Sequence, residues 1–301
     1  MESDKRHGAQ GRGRPMKAGA RGLFPLRGGT AVITGAASGI GAALSVDLAA
    51  RGCNLALADV NATGLHGVAA RARAAGVKVS EHTLDVADKA AVAALPEAVL
   101  REHAGVTVLI NNAGVALGGT FEQVPPEDFE WMFGINFWGV VYMTRAFLPL
   151  LRQAETAQLV NLSSLFGIVA PPGQVPYCAS KFAVRGFSES LRHELEGSPV
   201  GVTVVHPGGV RTSVDKSARR TGLSEAEAAQ QRYISGALLQ LSPEDAAARI
   251  IRGILRREKR VLVGRDAQQV ALMQRLFPVG YWPLMAKFIE RKVRGLTKSA
   301  A

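Results

Sequence analysis

Short apolar runs alternate with longer stretches of helical spacing along almost the whole chain, and this alternation limits the fold more than any other feature. The runs are "TAVIT" (30–34), "NLALAD" (54–59), "VKVSEHTLD" (77–85), "VTVLINN" (106–112), "AQLVNLS" (157–163), "VGVTVVHPG" (200–208) and "KRVLVG" (259–264). Between them lie "IGAALSVDLAARG", an Ala-rich stretch to Ala75, "DKAAVAALPEAVLREH", a long stretch from about Pro126 to Gln153, and "PYCASKFAVRGFSESLRHELEG", which ends at Gly197. Antiparallel neighbours can be joined by a tight turn, but parallel ones need a crossover of a dozen residues or more. The pattern therefore predicts an α/β chain with a parallel sheet covered by helices on both faces. No repeat or linker interrupts residues 28–264. They read as one domain, with a flexible basic tail over 1–27 and an amphipathic helical extension over 265–301.

The net charge of +11 suggests nucleic acid until it is divided along the chain. Residues 1–27 hold seven Lys/Arg against two acids, and 251–301 hold twelve against three. That leaves 17 basic and 20 acidic residues for 28–250, a slightly acidic body. Nucleic acid is not expected as a partner; the basic ends read as a solvated tail and helix face, or as contacts for anionic lipid or an acidic protein. Cys53 and Cys178 form no disulfide framework and suit a reducing, cytoplasmic setting. The opening "MESDKRHGAQGRGRPMKAGARG" has no apolar run of signal-peptide length, and Met16 offers a start nearer the first strand.

"TGAASGIG" (34–41) follows the first strand and opens the first helix. Glycines at 35, 39 and 41 let the backbone turn tightly and approach a pyrophosphate, which then sits at the helix N-terminus. Ser38 and Ile40 belong to the same contact set. The spacing is unusual, with three residues between Gly35 and Gly39 and one between Gly39 and Gly41. The second strand ends in Asp59, whose carboxylate can accept from the adenosine ribose hydroxyls and repels a 2′-phosphate. Ala37 and Ser38 stand where a base would clamp that phosphate, so NAD is favoured over NADP. The competing role for Asp59 is a helix cap or turn aspartate before "VNATG". Asp85, after the third strand, is either a turn aspartate or a neighbour of the adenine.

No charge occurs from Thr156 to Ser180, and then comes Lys181. Tyr177 and Lys181 are four apart and share a helix face. An ammonium and a phenol in such dry surroundings are either a packing couple or a proton-transfer pair.

"TGAASGIG", "NNAG" (111–114), "NLSS" (161–164), "YCASK" (177–181) and "HPGGVRT" (206–212) follow one another in these strand and helix contexts. Together they resemble the short-chain dehydrogenase/reductase family over about residues 28–264. The resemblance implies a Rossmann-type, doubly wound, seven-stranded parallel sheet, a nicotinamide cofactor, an alcohol or carbonyl substrate, a homodimer or homotetramer, and no metal. It implies a catalytic set of Asn136, Ser164, Tyr177 and Lys181. Tyr177 would exchange a proton with the substrate oxygen, and Ser164 would hydrogen-bond that oxygen, Ser163 being the competing serine. Lys181 would bond the nicotinamide ribose and, as a neighbouring cation, lower the phenol pKa. Asn136 would hold a proton-relay water. On the cofactor side the resemblance adds Val86, Asn112, Ala113 and Gly114. It also adds Pro207, Gly208, Val210 and Thr212, the threonine orienting the carboxamide.

Phe166, Val169 and Val175, on a loop bent by Pro171, Pro172 and Pro176, are expected to line the substrate site. Residues 213–236 lie where the family carries a lid. The extension joins apolar bulk such as Leu276, Trp282 and Met285 to Arg275, Lys287, Arg291, Lys292 and Arg294. It can close an apolar pocket, form an oligomer interface, lie on a membrane or pack on its own core. The substrate reading is a medium-to-large apolar alcohol or ketone, of lipid, steroid or retinoid type. The alternative function is a dinucleotide-binding module with little turnover that recruits a partner or membrane through its basic ends.

Overall fold

The structure, a computed structural model, describes residues 22–212, 218–220, 222–287, 289 and 290. Seven strands form one parallel sheet: β1 (Thr30–Thr34), β2 (Asn54–Asp59), β3 (Val79–Thr83), β4 (Val108–Asn111), β5 (Ala157–Leu162), β6 (Val200–Pro207) and β7 (Arg260–Val263). Their spatial order is β3-β2-β1-β4-β5-β6-β7, so the winding reverses between β1 and β4. In an open sheet of this kind the strand ends at that reversal border a crevice. The Gly-rich turn leaves the end of β1, and Asn112–Gly114 leaves the end of β4.

Helices α1 (Gly39–Ala50), α2 (Ala62–Arg73) and α3 (Lys89–Glu102) follow the first three strands. Residues 126–153 are one continuous helical run: α4 (Pro126–Phe133), a π-turn over Gly134–Trp138, and α5 (Gly139–Gln153). After β5 and a short 3₁₀ turn comes α6 (Val175–Glu194), then α7 (Glu225–Leu238), α8 (Pro243–Leu255) and, beyond β7, α9 (Arg265–Leu276). A further helical stretch covers 281–287.

Side chains alternate across each strand, and the core divides accordingly. Ala31 and Ile33 of β1 face α1, α2 and α8 through Leu44, Leu65 and Ile250, whereas Val32 faces α3 and α5 through Val99 and Phe147. Every residue of β1 is buried, as a strand covered on both faces requires.

Several boundaries differ from the sequence reading. β3 is shorter than 77–85, because Leu84 and Asp85 leave the sheet toward the crevice. α6 stops at Glu194 before Gly197, which takes a left-handed φ of +85°. α8 was absent from the reading, although Ser242 caps it by accepting from Asp245 N–H and its buried stripe is clear. Residues 22–27, read as part of a tail, instead carry Phe24 and Leu26 into the core, and Phe24 N–H donates to Leu255 C=O. Residues 1–21 of that tail, 213–217 and 221 of the lid, and 288 and 291–301 of the extension lie outside the described residues.

Candidate active site

A cavity of about 880 Å3 opens at the β1/β4 reversal. One end is built by the first turn. Gly35 (φ +65°) and Gly39 (φ +54°) occupy left-handed backbone that side-chain-bearing residues rarely adopt. A Cβ on Gly35 would stand 2.8 Å from Ala113 Cα. Ser38, Gly39 and Ile40 line the cavity, and α1 begins there with no side-chain cap bond and no acidic residue in its first turn. Its leading N–H groups and positive dipole end are therefore suited to an anion. Gly41 is placed differently from expectation. It lies behind the turn and off the cavity wall, where a Cβ would come 2.1 Å from Gly35 O and 2.6 Å from Asn112 Nδ2. It keeps the turn and the helix in contact.

Gly41→Ala should therefore cost about 2–3 kcal/mol through overpacking against backbone. It should also weaken dinucleotide binding by roughly tenfold, because the turn must shift. Thermal melting and nucleotide titration check this, and an unchanged melt would contradict the packing.

Asp59 lines the cavity at the end of β2. Its carboxylate accepts from Ala37 N–H and Asn61 N–H, both at 2.9 Å. The turn role is thus present, but the helix cap is Asn61, which accepts from Gly64 N–H. Asp85 also makes a local turn bond, to Ala87 N–H, while lining the cavity beside Val86. Asn112, Ala113 and Gly114 line the middle, with Asn112 Nδ2 donating to Thr34 O and Gly35 O. Pro207, Gly208, Val210 and Thr212 also line the cavity, with Thr212 against Gly39 of the first turn. This glycine cradle, the helix end without a side-chain cap and a carboxylate on the cavity wall fit a dinucleotide.

Ser164, Tyr177 and Lys181 meet on the wall of the same cavity. The two serines separate cleanly. Ser163 is buried and donates to Lys181 C=O at 2.8 Å, so it is a structural link. Ser164 lies close enough to the Tyr177 phenol to favour its ionised form, and it caps the 3₁₀ turn by accepting from Phe166 N–H. Tyr177 also packs edge-on against Phe166, with ring centroids 6.1 Å apart. Lys181 is 4% exposed; its Nζ donates to Leu162 O at 3.2 Å and stands 5.7 Å from the Tyr177 ring centroid.

The expected acidification of the phenol is not what this arrangement gives. Burial pushes the Tyr177 pKa above its usual value, and the nearby Ser164 side chain only partly offsets it. Lys181 is itself pushed down to about 8 by burial. The buried Lys181 ammonium, hydrogen-bonded to the Leu162 carbonyl and 5.7 Å from the ring centroid, does not reverse that upward shift.

Asn136 sits within the π-turn, fully buried and off the cavity wall. Its Oδ1 accepts from Val115 N–H at 2.8 Å, and its Nδ2 donates to Val115 O and Ser180 Oγ. Both amide donors are committed, so the side chain clamps the β4 exit rather than holding a water through its N–H groups. Of the expected substrate lining, Phe166, Pro171 and Pro172 are in place. Val169 is buried in a separate cluster, and Val175 faces an outer groove.

Some contributors escaped the sequence reading. His206 is buried beneath Ser164, with Nδ1–H donating to Ser164 C=O at 2.8 Å. Burial lowers its pKa to about 4, so it is neutral at ordinary pH and holds the serine turn as a plain donor. Its signal lay in the "HPGG" stretch. Asn111 donates to Asn161 Oδ1 and Thr144 Oγ1, and Asn161 donates to Ser188, tying α5 and α6 to the sheet beside the site. Asp266 accepts from Gly209 N–H at 2.7 Å across the cavity rim.

The outer cavity is apolar. Ile234 and Leu238 of α7 form one wall, and Val270, Trp282, Met285 and Ile289 of the C-terminal segment form another. Tyr281 Oη accepts from Ala170 N–H at 2.9 Å and so fixes the loop before Pro171. The guanidinium of Arg219 stacks 3.6 Å over the Trp131 ring and pairs with Asp128, holding the described part of the lid against α4.

The profile of the short chain dehydrogenase family matches residues 29–222. A Mycobacterium tuberculosis protein that bears the name oxidoreductase SadH is 42% identical over 273 residues, covering 89% of this chain and 98% of its own. The 1-deoxy-11-beta-hydroxypentalenate dehydrogenase of Streptomyces avermitilis is 38% identical over 194 residues, 64% of this chain and 72% of its own. A short-chain dehydrogenase/reductase from Burkholderia phymatum, solved in complex with NAD, superposes with a TM-score of 0.79 at 32% identity. That match covers 84% of this chain and 95% of that one.

Proposed function

The chain belongs to the short-chain dehydrogenase/reductase family of NAD(P)-dependent oxidoreductases, and from that premise we propose that it interconverts a medium-to-large apolar alcohol and its ketone or aldehyde, using NAD in preference to NADP. One observation carries the reading. The Ser164–Tyr177–Lys181 group and the glycine cradle lie on the wall of one cavity, whose outer part is walled by Ile234, Leu238, Trp282 and Met285. A binding module needs the cradle but has no use for a serine hydroxyl, a buried phenol and a buried ammonium gathered at its far end.

A bound nicotinamide supplies or accepts the hydride. The chain's own groups handle the oxygen and its proton. In reduction, the Tyr177 hydroxyl donates its proton to the carbonyl oxygen as that oxygen gains negative charge, and Ser164 O–H donates a second hydrogen bond to it. In oxidation, the proton of the alcohol passes to the Tyr177 oxygen. The raised phenol pKa keeps Tyr177 protonated at neutral pH, the form from which it donates to a carbonyl oxygen. Lys181 places positive charge on the Tyr177 side of the cavity, in a water-poor setting where such a charge acts strongly.

A panel of secondary alcohols and ketones of rising chain length, followed by nicotinamide absorbance, tests the substrate class. The expected result is kcat/KM rising with apolar size. Preference for small polar alcohols would overturn it. For the cofactor, Asp59→Asn keeps an acceptor for Ala37 N–H and removes the charge. NAD affinity should fall about tenfold, since a hydrogen bond to a charged acceptor is worth roughly 1.5–3 kcal/mol. NADP affinity should rise. Tighter NADP than NAD binding by the unsubstituted protein would overturn the preference.

A further inference from the structure

The C-terminal segment has two apolar faces. The inner one walls the cavity through Val270, Trp282 and Met285. The outer one stands in solvent: Leu272 is 58% exposed, Leu276 63%, Phe277 50%, Val279 91% and Leu284 44%. Leu272 and Leu276 are one turn apart on α9, and Phe277 and Val279 follow directly, so the exposure is a run and not a scatter. Arg265, Arg275 and Lys287 are exposed on the same segment. Asp266, the only acid in 265–287, is turned inward onto Gly209 N–H. The whole of 265–301 carries seven Lys/Arg against two acids.

We propose that this outer face docks on the surface of an anionic lipid bilayer. Apolar side chains would enter the acyl boundary while the guanidinium and ammonium groups meet lipid phosphates, as interfacial segments of this composition do. The charge argues against a second copy of the chain as the occupant, because a two-fold contact would set this positive face against itself. Among the described residues no helix is long and apolar enough to cross a membrane, so the contact is a surface one. Leu284 faces outward and Met285 inward, so a docked face puts a cavity wall at the lipid. Direct passage of an apolar substrate from lipid to cavity rests on the substrate reading above; the docking does not.

Vesicle co-sedimentation of the full chain tests it, without turnover, using phosphatidylcholine vesicles with and without about a third phosphatidylglycerol. Expected is binding to the anionic vesicles at least tenfold tighter than to the neutral ones, and lost at about 0.5 M salt. Leu276→Ser with Val279→Ser should weaken binding at least tenfold, and Arg275→Glu with Lys287→Glu should remove the preference for anionic lipid. Turnover of a short water-soluble alcohol should stay unchanged in both, which also shows that they fold. Failure of the parent to bind anionic vesicles would overturn the proposal, as would variants that bind like the parent. So would light scattering that finds a dimer which the serine variant dissociates, since that assigns the face to a second copy. An inactive parent that still binds vesicles would count against the substrate reading alone.

Discussion

Tyr177→Phe lowers turnover by about 10^3-fold, within the range that a positioned acid or base contributes, and leaves dinucleotide affinity within about threefold of the parent value. The substitution removes one oxygen and keeps the ring. The edge-on contact with Phe166 is unaffected, so the loop that carries Ser164 stays supported. Only the hydroxyl near Ser164, with its exchangeable proton, is lost. The melt should move little, because Tyr177 lines the cavity and the ring that packs against the apolar cluster is kept. Single-turnover rates with a saturating ketone and a separate nucleotide titration make the two measurements. Turnover within tenfold of the parent would mean that the proton comes from elsewhere, and the proposed chemistry would fail.

The elements were legible where periodicity and turn chemistry agree. β1 and β2 matched to the residue, because Gly, Asn and Asp bound short β-branched or apolar runs. α8 was less legible: Ser242, Pro243 and Asp245 announce its start, but it follows the polar lid with no strand between to set it off. The site was legible as a set of residue types and much less so as a set of contacts. Which serine serves Tyr177 depends on where the Ser163 hydroxyl goes, and it goes to a carbonyl of α6 eighteen residues further along the chain. Asn136 is held by Val115, from a different strand exit. His206 supports Ser164 from a neighbouring strand, which no local spacing can reveal. The phenol pKa is raised and not lowered because burial of the hydroxyl dominates, and burial is set by the whole fold and not by the four-residue spacing to Lys181.

Lys181→Met is expected to raise stability and remove activity together. Lys181 is almost fully buried, and its Nζ donates to Leu162 O. Burial lowers its pKa from 10.5 to about 8. Below pH 8 the folded protein carries the ammonium at a penalty that the unfolded chain does not feel, about 3 kcal/mol at roughly 1.4 kcal/mol per pKa unit. Between about pH 8 and 10.5 the unfolded chain binds the extra proton, so stability rises with pH across that window; above it both states are neutral and the contribution is flat. Methionine nearly matches the volume and carries no charge, and the Leu162 carbonyl loses a donor worth about 1 kcal/mol. The net gain near pH 7 is about 2 kcal/mol, or a melting temperature higher by about 4 °C for a domain of this size. The gain should shrink as pH rises past 8 toward 10, because the parent recovers what the variant already has. Turnover at pH 7 should fall at least about a hundredfold, since the charge near the reacting oxygen is gone. Melts of both proteins from pH 6 to about 10 decide the matter. A variant that is less stable than the parent at pH 7, with a parallel pH profile, would mean that the ammonium is well solvated in the fold and that its placement is not held against a cost.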